Sequence, residues 1–337
     1  MNKAMGKSLR LMLAAALGVL AMASGSTLAQ GVKLKVATSQ TGAQALVWLA
    51  DTWGIFKQNG VDVEVVNFRN PADMIPAGVS GAVNLINSGI EQPALLAQRG
   101  GVPPWRAFVA TYGASAFSIV AQPRLTNLIP NDFKQFKGMK VGIPGHGRPA
   151  HSLIKAFLKE AGLDPDNDVT YVEQPPGPEG IASWERGLAD IAVTNEPVTS
   201  ALMIKKTARM FIDLREGKHG PASTVPQAAV LAPVSLINSN RGELERFTLS
   251  ICQAAKRAMS NVDAAANAAA ERYGANTGAD AAIVKAGLVA SAVAWKVDIP
   301  EAPTMSWIKL MQDSNILKIQ PKFNEIVDTS FSKNWKC

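Results

Sequence analysis

GMKVGIPGHGRPAHSLIKAFLKEAGL, residues 138–163, reads as a strand, a glycine-rich loop and a helix. Lys140 to Ile143 is short, apolar and β-branched, as a buried parallel strand requires. Pro149 fits a first helical position, where its missing N–H goes unused, and Gly162 is a C′ stop. Leu153, Ile154, Phe157, Leu158 and Ala161 recur at helical spacing between them. Arg148, just before Pro149, offers no side-chain acceptor, so the first-turn N–H groups stay open to an outside acceptor. A helix start with free donors, a positive dipole end and an arginine is an anion seat. The same loop also fits a βα turn that water satisfies.

The grammar extends in both directions. Lys33 to Thr38 reads as a first strand, followed by the polar loop Ser39-Gln40-Thr41-Gly42. A helix with Ala45, Leu46, Leu49, Trp53 and Phe56 on one face then runs to Gly60. Strands at 61–68 and 82–86 follow, the second meeting Asn87-Ser88-Gly89 and a helix from about Glu91. Two further strands, Trp105 to Tyr112 and Phe117 to Gln122, flank Gly113-Ala114-Ser115. Beyond residue 163, strands are expected at 169–172, 191–194, 210–214 and 228–237, with helices at 180–188 and from Pro197 to about Lys206. After Arg241 the pattern is helical. This is two βα series in succession, an α/β chain with doubly wound sheets.

The amino terminus stands apart. Lys3, Lys7 and Arg10 precede a short apolar run, and Thr27-Leu28-Ala29 offers small residues for cleavage. The run is too short to span a bilayer, so residues 1–29 are expected to be a removed signal peptide. About 308 residues (337 less 29) then remain, enough for two lobes. Net charge falls from +7 to +4 without the three signal-peptide cations, and no basic run is interleaved with aromatics, so nucleic acid is not an expected partner. Cys252 and Cys337 are too few for a disulfide framework, and Cys252 reads as core; sequence does not decide whether they pair.

Enzyme chemistry is thinly represented. His146, His151 and His219 lack zinc-like spacing, and there is no nucleophile elbow, phosphate-binding Walker loop or complete dinucleotide motif. Nothing calls for a metal or cofactor. In open α/β sheets, ligands bind beyond the carboxyl ends of the strands. Two facing sheets would bring the loops at 39–42, 87–89, 113–115, 145–148 and 195–197 to one cleft.

ALVWLADTWGIFKQNGVDVEVVNF (45–68), AGVSGAVNLINSGIEQPALLAQRGG (77–101), residues 137–163 and WERGLADIAVTNEPVTSAL (184–202) resemble segments of periplasmic substrate-binding proteins of ABC importers. The branch is the nitrate/sulfonate/taurine and thiamine-precursor (pyrimidine) binding type. The resemblance implies a type II periplasmic-binding-protein fold: two lobes with mixed sheets, a two-crossing hinge and C-terminal helices on the first lobe. It implies lobes at 30–121 plus 228–337 and at 122–227. It implies a soluble, monomeric periplasmic receptor that closes on a small anionic organic solute and passes it to an inner-membrane permease with its ATPase. A sensory component, or a thiamine-pyrimidine-type enzyme on the same fold, is the competing reading. The expected ligand residues are Ser39, Gln40, Thr41, Ser88, Gly89, Tyr112 and Ser115 from the first lobe's edge. His146, Gly147, Arg148, Asn195 and Glu196 come from the second. Glu196 resembles an acid that faces a ligand amine in some relatives, and it also fits a first-turn helix cap. Asn84, Asn195 and His146-Gly147-Arg148-Pro149 depart from the family pattern, so the fold transfers better than the ligand.

Overall fold

A computed structural model describes residues 32–331 except 40, 69, 176, 278 and 279. The chain runs β1 (Leu34–Ser39), α1 (Ala45–Thr52), α2 (Ile55–Gln58), β2 (Val63–Phe68), α3 (Met74–Val79), β3 (Leu85–Ser88) and α4 (Gln92–Arg99). Then come β4 (Trp105–Tyr112), β5 (Phe117–Ala121), β6 (Lys140–Ile143), α5 (Pro149–Glu160), β7 (Thr170–Glu173), α6 (Pro178–Glu185), β8 (Ile191–Asn195), α7 (Val198–Ile204) and β9 (Arg209–Asp213). The last part is β10 (Ala228–Pro233), α8 (Val234–Ser239), α9 (Arg241–Ser260), α10 (Val262–Thr277), α11 (Ala281–Ser291), α12 (Glu301–Asp313) and α13 (Phe323–Ile326).

The strands form two five-stranded sheets, ordered β2-β1-β3-β10-β4 and β7-β6-β8-β5-β9. Each has a parallel half and an antiparallel half: β10 runs against β3 and β4, and β5 against β8 and β9. The βα units account for the parallel half, because a parallel return needs a helical crossover. Strand alternation then fills both faces of each sheet. Ile191 and Val193 of β8 enter one core cluster while Ala192 between them enters another, the period-2 pattern of a strand buried on both sides.

One core cluster packs α1, α9, α10 and α11 on one face of the first sheet, through Leu46, Phe247, Ile251, Ala265 and Leu288. A second joins the two sheets. It contains Ala37 and Ile86 of the first, Ile119 and Val141 of the second, and Trp307, Ile308 and Met311 of α12. The C-terminal helix α12 therefore packs on both sides, against α5 and α13, and does not belong to the first lobe alone.

Four expectations change. β5 lies in the second sheet, so the chain crosses between Tyr112 and Phe117 and not after residue 121. The small residues Gly113-Ala114-Ser115-Ala116 make that passage, and Ser115 N–H donates to Ser223 O (3.0 Å) on the returning segment. The 45–59 helix breaks at Gly54, whose φ of 66° no ordinary helix contains. The strand expected at 228–237 ends at Pro233, which has no N–H for the ladder, and a helix follows. Cys252 is buried but disulfide-bonded, so it is more than inert core; Cys337 and the expected signal peptide lie outside the described residues. No helix among the described residues is long and apolar enough to cross a membrane.

Candidate functional site

The carboxyl ends of the two sheets meet. A Cβ on Gly42, just past β1, would stand 2.2 Å from Ser291 Oγ and 3.6 Å from Glu196 Cβ, which follows β8 of the other sheet. On this flank α11 wedges between the sheets and packs on α7, with Gly287 so close to Glu196 that a Cβ would fall 2.9 Å from Oε2. Trp295 Nε1 donates to Gly42 O (3.1 Å), tying the wedge to the β1 loop.

A buried charge cluster fills the second sheet's part of this seam. Arg215 Nε and Nη2 donate to Asp213 Oδ1 (2.7 Å) and Oδ2 (2.6 Å), a bidentate fork. Arg215 Nη1 donates to Glu196 Oε1, and Ser200 N–H donates to Glu196 Oε2 (3.0 Å). Burial works against the Arg215 charge, but the two carboxylates outweigh it and raise its pKa. Burial likewise pushes Asp213 up, yet the fork from Arg215 prevails and holds it below the usual carboxylate range. Glu196 receives only one arm of the guanidinium, and burial keeps it above its ordinary value. Each Glu196 oxygen thus already accepts one hydrogen bond from within the protein.

The first sheet's edge is polar and internally wired around Gln44. Its Oε1 accepts from Ser39 N–H and from Thr38 Oγ1 (2.9 Å), while Nε2 donates to Asn87 O (2.7 Å). Thr111 Oγ1 donates to Asn87 Oδ1 (2.9 Å). What this wiring leaves over is informative. Ser39 Oγ, Asn67 Oδ1, Asn87 Nδ2 and Gln227 Oε1 are buried and have no partner. They stand at the carboxyl ends of β1, β2 and β3, and at the residue preceding antiparallel β10. On the second sheet, Gln174 Nε2 just past β7 is also buried and unpartnered. It lines a cavity of about 20 Å3 shared with Pro144, Trp184, Thr194 and Asn195.

The expected residues fall into three groups. Ser39, Ser88, Gly89 and Asn195 stand at the strand ends, with Thr41 half-exposed in the β1 loop. Ser88 does not cap α4: it pairs with Ala229 inside the sheet, and Glu91 holds the N-cap position. His146, Gly147 and Arg148 form the exposed loop between β6 and α5. Arg148 is the N-cap of α5 without a side-chain cap bond, in extended backbone, but Pro149 has no N–H and His151 N–H donates to Arg148 O (2.9 Å), so the helix start is less open than its sequence implies. Its side chain lies along Gly145, where a Cβ would come within 2.9 Å of Nε. Gly147 N–H donates to His151 Nδ1 (3.1 Å), and burial, with Lys155 and His146 nearby, lowers His151 to about 4.

Tyr112, Ser115 and Glu196 form the last group, buried within the protein. Tyr112 is 1% exposed, part of the first core cluster with its phenol pushed up by burial. Trp184 is likewise core, its Nε1 donating to Thr207 O (2.8 Å). Ser115 is wholly buried in the crossing, where its Oγ accepts from Phe117 N–H (3.4 Å). Gln40 lies outside the described residues.

Sequence reasoning does not reach Asn87 as a wired strand residue, nor Gln174, Gln227 or Arg215. Gln174 follows a short strand and precedes Pro175-Pro176, the one local hint of an edge position. Glu91 is also missed. Its carboxyl is 1% exposed, accepting from Trp307 Nε1 (3.1 Å) and Gln92 Nε2 (3.3 Å), and burial pushes its pKa up.

The geometry has counterparts among solved structures. The alkanesulfonate-binding protein SsuA from Xanthomonas axonopodis pv. citri, bound to MOPS, superimposes with a TM-score of 0.70 at 18% identity, covering 90% of this chain and 100% of that one. The periplasmic nitrate-binding protein NrtA from Synechocystis PCC 6803 gives 0.71 at 11% identity, covering 90% and 88%. The periplasmic aliphatic sulphonate binding protein SsuA from Escherichia coli gives 0.68 at 17% identity, covering 88% and 92%. At such identities the likeness concerns the fold, and it is the periplasmic-binding-protein fold. No curated protein matches the chain. A family model described as NMT1/THI5 like matches residues 43–265, and the chain accordingly belongs to the NMT1/THI5-like family.

Proposed function

We propose that this chain is the solute-binding receptor of an ABC importer, exported to the periplasm after loss of residues 1–29. It takes up a small anionic organic solute between two lobes built on the two sheets. As a soluble monomer, it delivers the solute to an inner-membrane permease driven by its ATPase. The sulfonate- and nitrate-binding names among the structural neighbours support the solute class.

The observation that carries this reading is the set of unpartnered buried polar atoms at the sheet ends: Ser39 Oγ, Asn67 Oδ1, Asn87 Nδ2, Gln227 Oε1 and Gln174 Nε2. A buried polar group without a partner costs roughly 1–3 kcal/mol, and although others, such as Ser152 Oγ and Thr248 Oγ1, lie away from the sheet ends, the five that stand there on the two sheets are where a ligand can supply the missing bonds. Arg148 and the start of α5 add positive potential from the second sheet. Closure follows because a ligand touching both lobes stabilises only the form in which both touch it. The role is capture and not turnover: the acid nearest the seam, Glu196, is already neutralised by Arg215.

The test is a thermal-shift screen of the chain from Gln30 with MOPS, taurine, nitrate, an aromatic carboxylate and a pyrimidine. A true ligand at a hundred times its Kd stabilises by about 2.7 kcal/mol. Arg148→Ala should then weaken an anionic ligand by about 1.5–3 kcal/mol in titration calorimetry. A screen in which no anion raises the melting temperature, or scattering with an unchanged radius on ligand addition, overturns the receptor reading.

A further inference from the structure

Glu91 is an expensive residue for its position. Its carboxyl is 1% exposed, and no cation is among its hydrogen-bond partners. Burying a carboxyl with only neutral donors around it costs free energy, so a gain in stability is not a sufficient account of why it is there. The geometry shows what else it does. Its Oε1 lies 2.0 Å from where a Cβ on Gly89 would be, so the carboxyl fills the space that a side chain at position 89 would take, beside the Ser88–Gly89 turn. Oε2 is held from the other side by Trp307 Nε1 at 3.1 Å. Trp307 itself is 1% exposed on α12, the helix whose Ile308 and Met311 share a core with Leu153, Ile154 and Phe157 of α5. The start of α5 is the Gly145–Arg148 loop.

We propose that Glu91 is a positioning residue for the Ser88–Gly89 turn, fixed by Trp307 so that α12 holds this turn in register with α5 across the two lobes. The proposal rests on the receptor reading for its ligand consequence, but not for its structural one. Glu91 touches no solute; it sets where Ser88 and the Gly89 amide stand. Trp307 supplies a rigid donor on a helix common to both lobes, so a shift of α5 on closure reaches the first lobe's edge through one side chain.

The experiment uses Glu91→Leu, Glu91→Gln and Trp307→Phe in the full chain from Gln30. Glu91→Leu keeps the bulk and removes both acceptors; Glu91→Gln keeps one acceptor for Trp307; Trp307→Phe keeps the ring packing and removes the donor. Glu91→Leu strands the buried Trp307 N–H and should lower the melting temperature, whereas Glu91→Leu combined with Trp307→Phe, which leaves no stranded donor, should equal or exceed wild type. Amide exchange in peptides covering residues 86–92 should accelerate by about tenfold in Glu91→Leu and Trp307→Phe, and return close to wild type in Glu91→Gln. MOPS affinity should fall by about tenfold in the same two variants, with the same rescue. Unchanged exchange at 86–92 in Glu91→Leu overturns the proposal, as does a loss of stability that Glu91→Gln does not repair. The exchange arm uses no ligand, so it decides on Glu91 even where wild type ignores MOPS, a result that counts against the sulfonate reading instead.

Discussion

Two buried glutamates stand just past strand ends on opposite sheets, and they are handled in opposite ways. Glu91 follows β3 and Glu196 follows β8. Each lies over a glycine, Gly89 for the first and Gly287 for the second. Glu196 is met by Arg215, which Asp213 holds in a bidentate fork. Glu91 is met by the neutral N–H groups of Trp307 and Gln92. A charged partner makes Glu196 part of the electrostatic seam between the sheets. Neutral donors leave Glu91 with a geometric task. Local sequence is similar at the two places, an acid next to or near a proline, so the difference comes entirely from what the fold brings to them.

The sharpest way to break the comparison is to remove the cation. Arg215→Met leaves Glu196 and Asp213 buried or half-buried with no positive partner, and breaking a buried pair in this way costs about 3–5 kcal/mol. Urea unfolding should show that loss in the midpoint, with an unchanged slope. Glu91→Leu combined with Trp307→Phe, which leaves no stranded donor, should show none under the same conditions. Equal effects of the two variants would mean that Glu196 and Glu91 are structural in the same sense, and the contrast would go.

Why sequence reaches one half of this picture and not the other follows from distance along the chain. The stretch at 138–163 announces its strand, loop and helix because hydrophobic period and turn residues are local properties, and the structure has β6 and α5 there. Ser39, Ser88, Arg148 and Asn195 are legible as edge residues for the same reason: each follows or ends a recognisable strand. The partner of Glu91 is 216 residues away, and Gln44 reaches Asn87 across 43. Nothing local marks such pairs. Tyr112 and Ser115 show the same limit. Both sit at a strand end, as a site residue would, but the crossing runs through the core there and buries them. Assigning β5 to the first sheet fails because a strand's sheet is chosen by its neighbours, β8 and β9, and not by its own composition.

The two glycines sharpen the contrast at smaller magnitude. A methyl at position 89 would meet the whole Glu91 carboxyl, with Cδ and Oε2 both at 2.6 Å. Gly89→Ala should therefore cost about 1–3 kcal/mol by overpacking and displace the turn. A methyl at position 287 would meet Glu196 Oε2 at 2.9 Å and Pro197 Cα at 3.3 Å. Here the crowding is milder, and Ala in place of Gly inside α11 gains about 1 kcal/mol of helix propensity. Gly287→Ala should come out near neutral in thermal unfolding. A Gly89→Ala protein as stable as wild type would mean that the Glu91 carboxyl does not fill the space beside the turn at all.

The smallest effect is one of pH, and its sign follows from burial. In the folded chain the Glu91 carboxyl is raised above the ordinary 4.5 because burial disfavours its charged form, with its own backbone amide and then the donors of Trp307 and Gln92 opposing. Between 4.5 and the raised value the folded state holds a proton that the unfolded state has released. The contribution of Glu91 to stability is thus fully present below 4.5 and is lost as pH rises through the folded value. Glu91→Gln has no such proton, so its stability relative to wild type should climb with pH from about 4.5 upward, by less than about 1.4 kcal/mol per unit, and then level off. Urea midpoints for the two proteins from pH 4 to pH 8 measure this difference. A flat difference would mean that Glu91's own amide, Trp307 and Gln92 together offset burial, so that neutral groups would compensate Glu91 better than an arginine compensates Glu196, and the cation would no longer be what separates the two sites.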